Sequence, residues 1–249
     1  MDKPLKDKVA LVTGASSGIG RATALHLAEL GAAVVISARR ADRLHELADE
    51  IEAIGGRVLS FAADAGDVRQ IDDLVAQSMA WRKQLDVVVV NAGRGLAGGV
   101  LNSDEKAWEE IYRLNVLGAS HLMRVATQSM VQQKRGDIVV LGSVSGHNIS
   151  PFSGFYGSSK WAIAAAAESL RREVCAHGVR VSTIMPGIVI SEFQGVAGYN
   201  HENFATTMER TGKCLEPRDV ARAIGFILCQ PAYVHINELV IRPTGQDYP

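Results

Sequence analysis

Seven short apolar runs alternate along the chain with longer segments of helical periodicity. The runs lie at Val9–Thr13, Ala33–Ser37, Arg57–Phe61, Asp86–Val90, Asp137–Leu141, Val179–Ile184 and His235–Ile241. Because apolar residues are nearly continuous within them, these runs predict strands that are buried on both faces. Helices are predicted at Arg21–Leu30, Arg43–Ile54, Val68–Lys83, Lys106–Gln132, Phe155–His177 and Pro217–Gln230. The alternation predicts an α/β fold, a doubly wound parallel sheet of about seven strands with helices on both faces.

The length and composition indicate one domain with small-molecule partners. No linker, repeat or low-complexity segment divides the 249 residues, so a single domain over 1–249 is expected. The formal net charge of -1 gives no electrostatic reason to expect nucleic acid or anionic lipid as a partner. No leader precedes the first run and no apolar stretch reaches the length of a membrane span, which predicts a cytoplasmic protein. Three cysteines without metal-ligand spacing predict free thiols and no metal.

The first predicted strand leads into a turn with three glycines. Gly14 permits a sharp turn, Gly18 removes a side chain where a pyrophosphate approaches, and Gly20 lets the next helix pack closely on the sheet. The free N–H groups of that helix then face the anion. Glycines in such turns also occur for packing reasons alone. A Rossmann-type dinucleotide site is the stronger interpretation, and it assigns cofactor contacts to Gly14, Ser16, Ser17, Gly18, Ile19 and Gly20.

The end of the second predicted strand indicates which dinucleotide is preferred. An acidic residue about 20 positions beyond the glycines binds the ribose 2′-hydroxyl of NAD. Here the chain has Arg39 and Arg40 instead. A guanidinium binds phosphate oxygens bidentately, so the pair predicts NADP as the cofactor. The alternative is a solvated arginine pair that Asp42 neutralises.

Small and acidic residues follow the third and fourth predicted strands. Asp64 and Ala65 are expected at the adenine, although Asp64 could instead cap a helix. Asp67 with Gln70 three residues later is the better capping-box candidate. After the fourth strand, Asn91, Ala92 and Gly93 form a small-residue stretch where the backbone can pass close to a flat ligand, or a plain turn.

Three residues carry the predicted chemistry. Ser143 lies just beyond the fifth predicted strand, and Tyr156 and Lys160 are separated by four residues near the start of a long predicted helix, so they share one helix face. A tyrosine is a poor base at its ordinary pKa of about 10, and Lys160 together with an oxidised nicotinamide could lower that value. Ser143 could hold the substrate oxygen against Tyr156. A tyrosine and a lysine one turn apart are, taken alone, more often a surface pair.

Together these motifs resemble the short-chain dehydrogenase/reductase family over essentially the whole chain. The glycine motif Thr13–Gly20, the Asn91–Gly93 stretch, the Ser143, Tyr156 and Lys160 set, and Pro186–Gly187 all match. Asn115 stands where the family has its catalytic asparagine. Two departures are Val90, which replaces the usual asparagine, and Ser191, which replaces a threonine but keeps its hydroxyl.

The resemblance implies a role for each matching residue. Tyr156 is the implied general acid/base, Lys160 the residue that lowers its pKa and binds the nicotinamide ribose, and Ser143 the group that orients the substrate. Asn115 would help to hold a proton-relay water. Pro186, Gly187, Ile188 and Ser191 are the implied nicotinamide contacts. The stretches 38–44 and 231–244 further resemble NADP-dependent 3-hydroxy acid (serine-type) dehydrogenases and small-aldehyde reductases.

Substrate identity is the least constrained property. A segment at about 188–216, much longer than the usual connection of ~4 to 6 residues, predicts a substrate lid. The aromatic and sulfur-containing side chains in it, which could enclose a ligand or pack on the surface, are Phe193, Tyr199, His201, Phe204 and Met208. Arg94, Ser145 and His147 are placed at the mouth of the pocket, where Arg94 and His147 favour a small polar or anionic substrate unless Arg94 is simply solvated.

The predicted function is NADP-dependent hydride transfer between nicotinamide and a small carbonyl compound or alcohol, such as a 3-hydroxy acid, aldehyde or ketone. One alternative is a 3-oxoacyl thioester reductase of fatty-acid type, which would need a basic surface for its carrier protein. Another is a nucleotide-sensing regulator without catalysis, which the presence of Tyr156 and Lys160 argues against. The long predicted helices Lys106–Gln132 and Phe155–His177, with the family resemblance, predict a homotetramer or at least a dimer.

Overall fold

The fold is built on one fully parallel sheet. A computed structural model describes residues 3–199, 205 and 208–247. The strands are β1 Val9–Thr13, β2 Ala33–Ala38, β3 Arg57–Ala62, β4 Val87–Val90, β5 Gly136–Leu141, β6 Val179–Pro186 and β7 Glu238–Ile241. Their order is β3-β2-β1-β4-β5-β6-β7, and every neighbouring pair is parallel. The predicted α/β sheet is confirmed, with β7 starting three residues later than its apolar run.

The helices occupy the segments between the strands. They are α1 Gly18–Glu29, α2 Ala41–Ala53, α3 Val68–Arg82, α4 Trp108–Tyr112, α5 Ala119–Gln133, α6 Gly154–Val174, α7 Phe193–Ala197 and α8 Pro217–Leu228. One prediction was wrong in form, because the long helix Lys106–Gln132 is interrupted by a π-helical turn at Arg113–Gly118. A π turn widens the backbone spiral and occurs often at functional sites. Here it contains Asn115.

Two hydrophobic layers hold the helices on the sheet. On one face, α1, α2 and α8 contribute Leu27, Leu47 and Ile224 to a cluster of buried residues. On the other face, α3, α5 and α6 contribute Leu74, Leu122 and Ile163, respectively, to a second cluster. Most strand residues are buried, which explains why their sequences are apolar without alternation. The packing confirms a doubly wound fold.

Among the described residues, no helix combines the length and apolarity needed to span a bilayer.

The strand order reverses beside β1, which has β2 on one side and β4 on the other. In doubly wound folds, ligands bind in the crevice at the carboxyl ends of the strands at this point. The residues predicted for the cofactor follow β1 to β4 and β6, and those predicted for catalysis follow β5, lie near the start of α6 or, for Asn115, lie in the π turn. The topology therefore brings them to one edge of the sheet.

Candidate active site

The turn after β1 brings backbone into contact with backbone. A Cβ added at Gly14, whose φ is +66°, would lie 2.9 Å from Cα of Ala92. One added at Gly20 would overlap the carbonyl oxygen of Gly14 and lie 2.9 Å from its carbonyl carbon. Gly20 therefore allows α1 to begin directly behind the turn, as the sequence predicts. Gly18, also at positive φ, faces the side chain of Ser191 across the cleft.

A cavity of about 370 Å³ opens beside this turn. Its lining joins the glycine turn to α2 and to the segment after β6, through Ser16, Ser17, Gly18, Arg21, Arg43, Glu46, Ser191, Glu192 and Pro217. Hydroxyls, a glycine without a side chain and two arginines surround it, and the N-terminus of α1 adds its partial positive charge. These groups fit the pyrophosphate of a dinucleotide.

Arg39 and Arg40 are both exposed, and Arg40 contacts Ser16 and Glu192 in the lining of the cavity. The guanidinium of Arg40 donates to the Ser16 hydroxyl from Nε at 3.2 Å and from a terminal nitrogen at 3.1 Å. The same terminal nitrogen lies 3.0 Å from a carboxylate oxygen of Glu192. Arg40 is therefore held at the glycine turn, which agrees with its predicted place near the cofactor.

Asp64 is more heavily engaged than the sequence suggests. One carboxylate oxygen accepts the Gly66 N–H at 2.9 Å, and the other accepts two hydrogen bonds from Arg113 at 3.1 and 3.2 Å. Asp67 caps α3 as predicted, by accepting the N–H groups of Arg69 and Gln70. The side chain of Gln70 accepts the Asp64 N–H instead of completing a reciprocal capping box. An adenine amino group would be a fourth donor to Asp64.

The stretch after β4 is tied to the end of β1. The Asn91 amide donates to the Thr13 carbonyl at 2.8 Å, and the Thr13 hydroxyl accepts the N–H groups of Asn91 and Ala92 at 3.2 Å each. Gly93 lies close to two of the predicted catalytic residues. A Cβ added at Gly93 would be 3.1 Å from the Asn115 side chain and 3.7 Å from Nζ of Lys160. Val90, the departure from the family pattern, is buried in the strand.

Asn115 is buried in the π turn and bridges three elements. Its Oδ1 accepts the Arg94 N–H at 3.0 Å, and its Nδ2 donates to the Arg94 carbonyl at 2.9 Å and to the Ser159 hydroxyl at 3.0 Å. Both amide hydrogens are thus used within the protein. The side chain joins the segment after β4 to α6. A water held by Asn115 would therefore have to form a hydrogen bond with the main chain of this residue.

Ser143, Tyr156 and Lys160 are brought together as predicted. Ser143 follows β5 and accepts the Ser145 N–H at 3.1 Å, while a hydrogen bond joins its hydroxyl to Tyr156. Tyr156 is only 7% exposed, and burial raises its pKa above the ordinary value, against the smaller lowering effect of Ser143. Lys160 donates to the Leu141 carbonyl at 2.6 Å, and its Nζ lies 5.9 Å from the Tyr156 ring centroid.

Burial acts on Lys160 in the opposite direction. It lowers the pKa of Lys160 to about 8, because removal from water disfavours the ammonium form. The expected lowering of the Tyr156 pKa by Lys160 is not evident in the protein alone, where burial is the largest influence on that phenol.

The helix α7 covers the catalytic tyrosine candidate. The rings of Phe193 and Tyr156 have centroids 5.5 Å apart, and the Ala97 N–H donates to the Ala197 carbonyl at 2.9 Å. A Cβ on Gly95 would lie 2.6 Å from that of Ala197. Phe193 also packs on a cluster of apolar residues that includes Leu96, Ala107 and Ile111. The wall beside Tyr156 is therefore largely apolar.

The four candidate substrate residues have different surroundings. Arg94 forms an ion pair with Glu110 of α4, so its charge is balanced within the protein instead of awaiting an anionic substrate. His147 is exposed at the end of the turn after Ser143. Ser145 is buried near Ser143, and Phe193 contacts Tyr156. Of the predicted lid residues, His201 and Phe204 lie outside the described residues.

Sequence reasoning missed Glu110, Arg113 and Glu192. Glu110 on α4 pairs with Arg94, and Arg113 in the π turn pairs with Asp64. Local sequence patterns do not predict such long-range ion pairs. Glu192 carried a usable signal, because it directly follows Ser191 in the nicotinamide stretch. A carboxylate beside a predicted anion site is unexpected.

Comparison with known proteins gives matches over the whole chain. The family model described as short chain dehydrogenase matches residues 8–200. The human dehydrogenase/reductase SDR family member 11 is 35% identical over 251 residues, which cover 97% of this chain and 96% of that protein.

Solved structures agree with the sequence comparison. The closed form of serine dehydrogenase complexed with NADP+ has a TM-score of 0.89 at 29% identity and covers 96% of both chains. An alcohol dehydrogenase from the archaeon Thermococcus sibiricus, complexed with 5-hydroxy-NADP, has a TM-score of 0.86 at 29% identity. That alignment covers 97% of this chain and 99% of the other.

Proposed function

Because the chain belongs to the short-chain dehydrogenase family, we propose that this oxidoreductase uses NADP(H) to interconvert a small carbonyl compound and its alcohol, with Tyr156 as the general acid/base. The observation that carries the proposal is the meeting of Ser143, Tyr156 and Lys160 in one buried site at the carboxyl ends of the strands, beside the glycine turn. NADP(H) would supply or accept the hydride.

The protein's own groups handle the proton. Because burial raises the pKa of Tyr156, the phenol stays protonated at neutral pH and can donate its proton to a carbonyl oxygen during reduction. Ser143, which shares a hydrogen bond with Tyr156, would hold that oxygen in place. Protonated Lys160 would stabilise the phenolate left behind and would contact the nicotinamide ribose.

The cofactor contacts follow the carboxyl end of the sheet. We assign the pyrophosphate to the glycine turn and the 2′-phosphate to Arg39 and Arg40. Asp64 and Ala65 would lie at the adenine. The NADP complexes of the two structural neighbours support this choice, since the chains align over nearly their full lengths.

Replacing both arginines should weaken NADPH binding far more than NADH binding. Each charge-assisted contact to the 2′-phosphate can contribute ~1.5 to 3 kcal/mol, so the loss of one contact should weaken NADPH binding roughly ten- to a hundredfold, and the loss of both in the Arg39→Ala/Arg40→Ala variant should weaken it further. Dissociation constants for both cofactors, measured at two ionic strengths, check the prediction. Arg43→Ala is a matched control, because Arg43 lines the same cavity but pairs with Glu46. Equal weakening of both cofactors would contradict the assignment.

The substrate is proposed to be a small neutral carbonyl compound. Arg94 was the main reason to expect an anionic substrate, but its charge is balanced by the ion pair with Glu110. Phe193 and Leu96 provide apolar surface near Tyr156. NADPH consumption tests this with neutral aldehydes and ketones, 3-oxo acids, 3-oxoacyl thioesters and sugars, and hydroxy acids test the reverse direction. Turnover with neutral compounds is the expected result. Exclusive turnover of acids or thioesters would contradict this proposal. If no carbonyl compound is turned over, the result would favour the nucleotide-sensing alternative.

We also propose a homotetramer. Leu117 and Trp161 are exposed on the π turn and on α6, respectively, where burial against another subunit would remove apolar surface from water. Light scattering at micromolar concentration should show a mass of several subunits. A monomer of 26.7 kDa as the sole species would contradict the proposal.

A further inference from the structure

An ion pair at the cavity rim joins two distant parts of the chain. Arg40 follows β2, and Glu192 lies in the segment after β6, yet their charged atoms are 3.0 Å apart. Their side chains are 44% and 54% exposed, so the pair is accessible from the cleft. Arg40 also donates two hydrogen bonds to Ser16 in the glycine turn. The carboxylate of Glu192 thus binds the same guanidinium that the cofactor assignment gives to a phosphate.

The groups around Glu192 favour the charged form of its carboxylate. A hydrogen bond from Arg40 lowers its pKa most, with smaller lowering effects from Ser17 and Arg43. Glu192 therefore remains charged at neutral pH. Arg43 has a different carboxylate of its own, since it lies 3.0 Å from Glu46. Among the described residues, Glu192 is the only carboxylate that forms an ion pair with Arg40.

We propose that Glu192 competes with the 2′-phosphate of the cofactor for Arg40 and thereby limits the selectivity for NADP(H) over NAD(H). This inference rests on the proposed assignment of Arg40 to the 2′-phosphate. A bound 2′-phosphate must either displace the carboxylate from the guanidinium or share the guanidinium with it. Both arrangements place a fixed negative charge close to an incoming dianion, which Coulomb repulsion disfavours. A cofactor without this phosphate leaves the ion pair intact.

The Glu192→Gln variant tests the competition directly. Glutamine keeps the size of the side chain and its capacity to accept a hydrogen bond but removes the charge. We expect adenosine 2′,5′-bisphosphate to bind about three- to tenfold more tightly to this variant than to the wild type. Binding of 5′-AMP should be strengthened less, because it lacks the 2′-phosphate and only its 5′-phosphate approaches the cavity that Glu192 lines. These two probes carry no nicotinamide, so titration calorimetry reports the adenosine end alone.

Glu46→Gln is the matched control. It removes the same charge from the lining of the same cavity, but from the partner of Arg43. A gain for the bisphosphate in Glu192→Gln that exceeds the gain in Glu46→Gln supports the competition. Equal gains would indicate a general effect of net charge and overturn it, as would unchanged or weaker binding in Glu192→Gln.

The wild type separates this inference from the cofactor proposal. If neither the wild type nor Glu192→Gln binds the bisphosphate more tightly than 5′-AMP, both the assignment of Arg40 and the competition fail. If the wild type prefers the bisphosphate and Glu192→Gln does not increase that preference, only the competition fails. Circular dichroism spectra of the three proteins check that the substitutions leave the fold unchanged.

Discussion

Tyr156→Phe is expected to lower kcat for carbonyl reduction by at least about a hundredfold, because general acid catalysis by a positioned side chain contributes typically 10²–10⁴-fold. The substitution removes the phenolic oxygen and leaves the ring, so the contact with Phe193 and the apolar packing are retained. NADPH affinity should therefore change little. Steady-state kinetics together with a fluorescence titration of NADPH separate the two quantities.

The chain provides a matched control for that experiment. Tyr112 also has a hydroxyl that forms a hydrogen bond, in this case to Ser158 at 2.9 Å, but at a more exposed place on the neighbouring helices. Tyr112→Phe should keep nearly full activity. If Tyr156→Phe retained more than a few per cent of wild-type kcat, the role of Tyr156 in proton transfer would be wrong.

The pH dependence has a definite sign. Burial raises the pKa of Tyr156, so the proton donor needed for reduction persists through neutral pH, while the phenolate needed for alcohol oxidation is scarce. The rate of hydride transfer during oxidation should therefore increase with pH, and reduction should not. Single-turnover measurements isolate this step. A flat oxidation profile would argue against Tyr156 as the group that titrates.

Gly20→Ala should abolish high-affinity cofactor binding and lower the free energy of unfolding by ~1 to 3 kcal/mol, the usual cost of overpacking. The added methyl group would overlap the Gly14 carbonyl oxygen, and neither α1 nor the turn can move without disturbing the phosphate site. Alanine is favoured over glycine in helices, so a loss of stability would come from this contact and not from helix propensity. Urea unfolding and NADPH titration measure the two effects.

Gly195→Ala serves as the control for Gly20→Ala. Gly195 is also helical, but an added Cβ has no atom within 4 Å of it. The control should be neutral or slightly stabilising, since alanine has the lower conformational entropy in the unfolded chain. Equal destabilisation by both substitutions would show that steric overlap at Gly20 is not the cause.

The features that sequence could predict are those with a local cause. Continuous apolar runs result from burial on both sheet faces, and Tyr156 and Lys160 share a helix face because they are four residues apart. The break in the helix at Asn115 was not predictable, because the residues on either side keep a helical pattern. It coincides with hydrogen bonds that Asn115 donates to the Arg94 carbonyl and to the Ser159 hydroxyl, both of which are far away in the sequence.

Charged residues around the site were the hardest to assign. Arg94 was predicted to lie at the mouth of the pocket and to favour a small polar or anionic substrate, but its charge partner is Glu110, sixteen positions further along the chain. Arg40 contacts the glycine turn, and its charge partner Glu192 lies 152 positions away in the sequence. Such pairs depend on how the loops fold over the sheet, and periodicity carries no information about them.

The contact of α7 with the strand end has a consequence for kinetic measurements. Phe193 packs against Tyr156, and the Ala97 to Ala197 hydrogen bond fastens the same helix beside Gly95. If α7 acts as the predicted lid, a product leaves only after these contacts open, and loop motions of this kind often take longer than the chemical step. Where opening is slow, substituting deuterium for the transferred hydride would leave kcat nearly unchanged while the isotope effect remained visible in a single turnover.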